Sequence, residues 1–167
     1  MFIDIEEMKS VLYKYQMDEI AENDDSIIQE AILAAVAEVR AYLEAANARR
    51  ETANLTQQQY ANWKLYDTDA IFNATGDDRN DFLVRLVKRV AVYNICELSN
   101  VDIIYDHVQQ RYEGTISTLE KIAGIGQYAN SRIIINELPS PATPPSNDEN
   151  QNTKPFRMVS RVKFNHE

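Results

Sequence analysis

Residues 81–124 read DFLVRLVKRVAVYNICELSNVDIIYDHVQQRYEGTISTLEKIAG, and this stretch decides the fold. Apolar residues recur at helical intervals in both of its halves, as on one buried face of an α-helix. The pattern predicts two helices in antiparallel contact, with a break at residues 99–102, Asp102 as the N-cap of the second helix and Gly124 as its end. The predicted buried positions are Leu83, Leu86, Val87, Val90, Asn94 and Leu98 in the first helix and Tyr105, Val108, Tyr112, Thr115, Leu119 and Ile122 in the second.

Two further helices are predicted before this pair. Asp4 and Glu7 have the spacing of a capping box ahead of a helix near residues 5–15. Ser26 and Gln29 have the same spacing ahead of the longest helical pattern, which continues for about six turns. That pattern is rich in alanine, which favours helix formation and close packing of a neighbouring helix. We therefore expect an all-α protein, a small antiparallel bundle of about four main helices.

Residues 49–80 show no sustained period, so we expect an irregular, partly ordered connection. Thr56 and Gln59 are spaced to cap a short turn, and Gly76 begins a second turn. A connection of about thirty residues is longer than compact domains usually contain, so this segment either has a function or includes a small unrecognised element. Its aromatic residues indicate that it packs on the body: Tyr60, Trp63, Tyr66 and Phe72.

The sequence divides into three parts. Residues 1–138 form the predicted helical domain, in which residues 133–135 favour a short strand or an extended edge. Residues 139–155 are rich in proline and polar side chains and are predicted to be a flexible linker. Residues 156–167 are predicted to be a basic extended tail, because apolar and basic side chains alternate there. Since one strand has no sheet of its own, we expect it to pair with the body or with another molecule.

The chain has 167 residues and 44% hydrophobic residues, which suits a single domain with one core. Its net charge is −9, of which residues 154–167 carry +3 and the remainder −12. Tight DNA binding depends on phosphate neutralisation by Lys and Arg, so the acidic body disfavours a DNA-binding regulator. The short basic tail is the exception.

The cysteine content, the first residues and the apolar runs of the sequence predict the cellular location. The single cysteine, Cys96, cannot form an internal disulfide, and the first residues lack the pattern of a signal peptide. No apolar run approaches the roughly 20 residues that a membrane span needs. We therefore expect a reduced cytoplasmic protein that is not secreted and has no membrane partner.

The motifs of common catalytic and metal sites are absent from the sequence or incomplete. There is no Glu-x-x-His pair, and the calcium-loop pattern that begins at Asp67 fails at Ile71 and Phe72. Cys96 lies in an apolar helix, so a small buried residue is the favoured interpretation over a nucleophile. There is no glycine-rich phosphate loop. We expect no metal, no cofactor and no catalytic residue.

Partner binding is the remaining role for the unusual side chains. Arg85, Lys88 and Arg89 cluster on the outer face of a predicted helix, which is either solvated or faces carboxylates of a neighbouring copy. Arg111 lies at the edge of the buried stripe, where it could pair with a carboxylate. The predicted tail contacts are Phe156, Arg157, Met158, Arg161, Val162 and Phe164.

Five segments in this order resemble the phage head-to-tail connector proteins, also called adaptor or head-completion proteins, in their Mu-like prophage branch. The resemblance covers about residues 3–138. Two features depart from the pattern: Asp81 and Phe82 stand where a proline is common, and residues 139–167 extend past the usual end. The segments are DIEEMKSVL, SIIQEAILAAVAEVRAYL, YDTDAIFNATGDDRN, VAVYNICEL and RYEGTISTLEKIAGI.

The resemblance implies a structural protein and not an enzyme. Such connectors assemble as a ring, plausibly of twelve copies, between the portal protein of the capsid and a tail or stopper protein. DNA passes through the ring without sequence-specific binding, which suits an acidic body. The protein would be in the host cytoplasm during assembly and then in the virion.

Two alternatives remain open from the sequence. The first is a small α-helical enzyme with a carboxylate-rich loop at residues 66–80, where Asp67, Asp69, Asp77 and Asp78 would act. The second is an interaction module of another prophage complex.

Overall fold

The computed structural model describes residues 2–12, 21, 24–98, 106–129 and 131–142. Within these ranges the regular structure is entirely helical, which confirms the predicted all-α class. The predicted cap Asp102, the predicted core residue Tyr105 and the whole basic tail lie outside them. The helices are α1 (Ile5–Met8), α2 (Asp25–Thr52), α3 (Gln57–Ala61), α4 (Thr68–Asn73), α5 (Asp81–Leu98) and α6 (Asp106–Ala123), with 3-10 turns at Gly76–Asp78 and Gly126–Tyr128.

The three long helices, α2, α5 and α6, form the core. Helix α2 packs on both of the others, because one of its faces is buried along almost its whole length. Three of the residues on that face are alanines, which leave little side chain between neighbouring helices and so allow close approach. The buried residues of α2 are Ile28, Ala31, Ile32, Ala35, Val39, Leu43 and Ala46.

Two predicted helix boundaries are wrong. Helix α1 ends at Met8, and residues 9–11 are turns, because the Ser10 hydroxyl donates to the carbonyl of Glu7 (2.9 Å) in place of a continued helix. Helix α2 is capped by Asp24 and not by Ser26. The Asp24 carboxylate accepts from both the amide (2.9 Å) and the hydroxyl (2.6 Å) of Ser26.

The predicted buried face of α5 is correct for its first two turns and shifts at its end. Leu98 is 45% exposed, contrary to the prediction, and Asn94 is half-buried with its amide donating to the Ala31 carbonyl (3.4 Å). The residues buried there are Ala91, Ile95 and Cys96. An α-helix has about 3.6 residues per turn, so residues chosen at a fixed repeat move gradually around the helix over several turns.

The connection between α2 and α5 is more ordered than the sequence predicts. Thr56 and Gln59 form the expected capping box of α3, but α4 was not predicted. The connection is bound to α2 through Asn47, whose side chain accepts from the Tyr66 amide (2.8 Å) and donates to the Tyr66 carbonyl (2.8 Å). Tyr66 itself is only 1% exposed, so the aromatic residues of this segment do pack on the body.

The segment after α6 returns to this connection. Residues 133–135 form no strand in the described part of the chain, contrary to the prediction of a short strand. Ile135 is buried, and its amide donates to the Tyr66 hydroxyl (3.2 Å). The Asp67 amide donates to the carbonyl of Pro139 (2.9 Å). These contacts close the bundle at one end.

An ion pair attaches the first residues to the turn before α5. Arg79 donates to both carboxylate oxygens of Glu7 (2.6 and 2.8 Å) and to the carbonyls of Phe2 (2.5 Å) and Gly76 (3.0 Å). The side chain of Arg79 is 15% exposed and that of Glu7 30% exposed. The Arg79 hydrogen bonds lower the pKa of Glu7 from its ordinary 4.5 to about 2 against the opposing effect of burial, and the Asp4 amide contributes.

This ion pair predicts acid sensitivity. Because the pKa of Glu7 is depressed in the folded state, its stabilisation is present above pH 4.5 and is lost as the pH falls towards 2. Glu7→Gln should lower the free energy of unfolding at pH 7 by about 2 kcal/mol and reduce the loss between pH 5 and pH 2. Urea unfolding followed by circular dichroism measures both effects. Glu6→Gln, at a neighbouring position, should change stability by less than about 0.5 kcal/mol.

Two glycines provide a matched pair of predictions. Gly124 ends α6 with φ +68°, and an added Cβ would lie 3.4 Å from the Arg132 side chain, so Gly124→Ala should destabilise by about 1–2 kcal/mol. Gly114 lies inside α6 with no atom within 4 Å of an added Cβ, so Gly114→Ala should stabilise by up to about 1 kcal/mol. Thermal unfolding of both variants tests this, and equal effects of the two substitutions would contradict it.

Candidate interaction surface

The predicted basic cluster of α5 separates into two parts. The Lys88 ammonium donates to the Ser10 hydroxyl (3.0 Å), so Lys88 faces the turn after α1. Arg85 is exposed, and its guanidinium lies over the ring of Phe82, 5.3 Å from the ring centre. Arg85 therefore remains on the outer face, as predicted, while Lys88 is engaged within the chain.

Arg89 and Arg111 meet at one small pocket, although they lie on different helices. The pocket has a volume of about 30 Å³, which suits about one water molecule. The sequence did not predict this convergence, because the partner of Arg89 on α6 depends on how the two helices pack. We call this region the α5–α6 basic surface, consisting of Arg85, Arg89, Arg111, Val11, Val92 and Val108.

The arginines of this surface have no carboxylate partner among the described residues. The ion pairs found among the described residues lie elsewhere and join Lys9 to Glu6, Arg40 to Glu44 and Asp69, and Arg79 to Glu7. The pairing predicted for Arg111 does not form within the described ranges. Because the chain as a whole carries −9, a surface of unpaired arginines is complementary to an acidic partner.

Tyr112 holds α6 in position beside this surface. Its hydroxyl donates to the Glu38 carboxylate of α2 (3.0 Å), and its ring stacks on Tyr93 of α5 with 4.0 Å between the ring centres. Burial and the Glu38 contact raise the pKa of Tyr112 from 10.0 to about 12. Tyr112 therefore connects all three long helices next to Arg111.

The face of α2 opposite its buried side is exposed. It carries small alanine side chains together with one large apolar residue, Leu33, which is 52% exposed. Glu30 lies one turn before Leu33 on the same face. We call this region the α2 outer face, consisting of Glu30, Leu33, Ala34, Ala37 and Ala41.

Two of the four carboxylates of residues 66–80 have structural contacts. Asp67 caps α4 by accepting from the Ala70 amide (3.0 Å), and Asp69 pairs with Arg40 of α2. Asp77 and Asp78 lie in the 3-10 turn. In the part of the chain that the structure describes, no group of three or more His, Cys, Asp or Glu side chains is placed to hold a metal ion.

Cys96 is a core residue of α5, as predicted. It is 3% exposed, and burial raises the pKa of its thiol. A nucleophilic cysteine needs the opposite, an exposed thiol whose pKa is lowered by a nearby positive group. The predicted tail contacts Phe156, Arg157, Met158, Arg161, Val162 and Phe164 lie outside the described residues.

Comparison with protein-family models, curated proteins and solved structures found no match for this chain. Among the described residues, no helix is both long and apolar enough to cross a bilayer.

The Tyr112 contact predicts a measurable loss of stability. Tyr112→Phe should keep the stacked ring but leave Glu38 without its donor, and so lower the free energy of unfolding by about 1 kcal/mol. The phenol should also ionise near pH 12 and not near 10.0 in an absorbance titration, and this last transition should be missing in the variant. The raised pKa means that the folded protein holds the Tyr112 proton more tightly than the unfolded chain does. The associated stability is therefore present below pH 10 and is lost as the pH rises towards 12.

Proposed function

We propose that this protein is a ring-forming structural adaptor that joins a capsid portal to a tail or stopper protein and surrounds the DNA channel. The arginines of the α5–α6 basic surface, which have no carboxylate partner among the described residues, are the observation that carries the proposal on a chain of net charge −9. The order of the helical segments, which resembles that of phage connectors, provides its functional context.

The proposed contact between copies joins the α5–α6 basic surface to the α2 outer face. The α5–α6 basic surface of one copy would face the α2 outer face of the next, so that Arg89 and Arg111 approach Glu30. Alanines on the α2 outer face would let the neighbouring helices come close. A contact between two different surfaces is head-to-tail, and it generates a ring when the rotation between copies closes.

The charge of the body is compatible with a channel for DNA. Outside residues 154–167 the chain carries −12, so an inner wall rich in carboxylates would repel phosphates. The duplex would then slide through without being held. Sequence-specific DNA binding is not part of the proposal.

The experiment uses the full chain, alone and mixed with the portal ring of the phage that the proposal implies. Native mass spectrometry at increasing protein concentration should show a closed oligomer, or a fixed number of copies on the portal ring. The double variant Arg89→Gln, Arg111→Gln should weaken assembly about tenfold or more, because each charged contact in an interface is worth 1–3 kcal/mol. The control Lys64→Gln, Lys121→Gln makes the same charge change away from both surfaces and should assemble normally.

Two results would overturn the proposal. One is a chain that stays monomeric at high concentration and also fails to bind the portal ring. The other is equal assembly of the two double variants, which would remove the arginine surface from the interface.

A further inference from the structure

A second, larger pocket lies away from the α5–α6 basic surface, between the end of α2, α3 and the segment after α6. Its volume is about 510 Å³, within the range of pockets that bind small organic molecules. The residues that matter for its chemistry are Arg49, Asn54, Gln58, Asn62, Trp63 and Arg132.

Arg132 is fixed in the pocket wall by four contacts. Its guanidinium lies between the rings of Trp63 and Tyr66, at 4.3 and 5.2 Å from the ring centres. It donates from Nε to the Ile122 carbonyl (2.8 Å) and from Nη2 to the Lys64 carbonyl (3.0 Å). The aromatic rings and the carbonyls are neutral, so the positive charge of Arg132 has no ionic partner there.

Two arginine N–H groups in this wall lack acceptors. Nη1 of Arg132 and Nε of Arg49 are both buried and without a hydrogen-bond acceptor among the described residues. An unsatisfied buried donor is costly, more so when it is charged, and such groups in native proteins usually have a partner or a role. Burial lowers the pKa of Arg132, against the opposing effect of Tyr66.

The remaining lining indicates what kind of ligand would fit. No carboxylate lines the pocket, although the chain is acidic, and the carboxamides of Asn54, Gln58 and Asn62 offer further donors. The other lining residues are largely apolar, Trp63 and Leu55 among them. A bare inorganic anion would fill little of about 510 Å³ and would leave the apolar wall uncovered.

We propose that this pocket binds an organic carboxylate, which the positive charges of Arg49 and Arg132 attract and whose apolar body lies against Trp63. The ligand is either an acidic side chain of a protein segment or a small free acid, since both carry the same group. The pocket shares no residue with the proposed interface between copies. Failure of one proposal therefore leaves the other standing.

Trp63 is the single tryptophan of the chain, so its fluorescence reports on this pocket directly. The full protein is titrated with a capped Leu-Glu-Leu tripeptide, the matched Leu-Gln-Leu tripeptide, hexanoate and inorganic phosphate at constant ionic strength. We expect a saturable change of Trp63 fluorescence with a ligand that carries a carboxylate. Binding of Leu-Gln-Leu and of phosphate should be about tenfold weaker or absent. Preference for Leu-Glu-Leu over hexanoate assigns a protein segment as the natural ligand, and the reverse preference assigns a free acid.

Substitutions on α3 and α2 test the location. Gln58→Glu places a carboxylate in the pocket and should weaken binding about tenfold by repulsion, whereas Gln57→Glu, on the same helix but outside the lining, should leave it unchanged. Arg49→Gln should abolish binding, and Arg85→Gln removes the same charge elsewhere as its control. Equal binding of the Glu and Gln peptides, the absence of a saturable signal with any carboxylate, or equal affinity of the two α3 variants would overturn the proposal.

Discussion

Close approach of α2 to its two neighbours is the constraint on which the rest of the structure depends. Ala31, Ala35 and Ala46 are fully buried along its inner face, where larger side chains would hold the helices apart. Larger residues such as Leu43 fill the remaining space between them. Since core packing tolerates little change in volume, this face also fixes which sides of α5 and α6 turn outward. The α5–α6 basic surface is a consequence of that arrangement.

Polar contacts add to apolar packing in attaching the short segments to this core. Glu7 and Arg79 connect the first residues to the turn before α5, and Asn47 binds the irregular chain at Tyr66. Each of these contacts is partly shielded from water, so the hydrogen bonds are worth more than they would be at the surface. The Asn47 contact helps to place one wall of the larger pocket, because Trp63, which lines it, lies three residues before Tyr66. A segment that appears featureless in the sequence thus builds part of the wall of the larger pocket.

The sequence predicts those features that depend on local spacing. Helical periodicity located the buried faces of α5 and α6, and the Thr56 capping box and the Gly124 helix end were found in the same way. Helix α4 was missed because its six residues are too few to show a period, although its Asp67 cap was a visible signal. Local signals also compete, which is why Asp24 replaced Ser26 as the cap of α2.

The features of the candidate sites depend on contacts between distant residues. Arg89 and Arg111 meet because α5 and α6 pack in one particular register, which spacing along one helix does not specify. The aromatic contacts of Arg132 join residues separated by 68 or so positions, as its bond to Lys64 shows. An arginine followed by three isoleucines gave no indication of such a role. The helices are therefore predictable from the sequence, whereas the pockets between distant segments are not.

The double hydrogen bond of Asn47 has a consequence for the chemical ageing of the protein. Its carboxamide both donates to and accepts from the backbone of Tyr66, which only an amide side chain of this length can do at that position. Spontaneous deamidation would keep the shape of the side chain but replace the donor with a charged oxygen facing the Tyr66 carbonyl. The segment between α3 and α4 would then lose the Asn47 donor bond and keep the bond from the Trp63 indole to the Ala46 carbonyl (2.9 Å), so a change of a single group would weaken the attachment of this wall to α2.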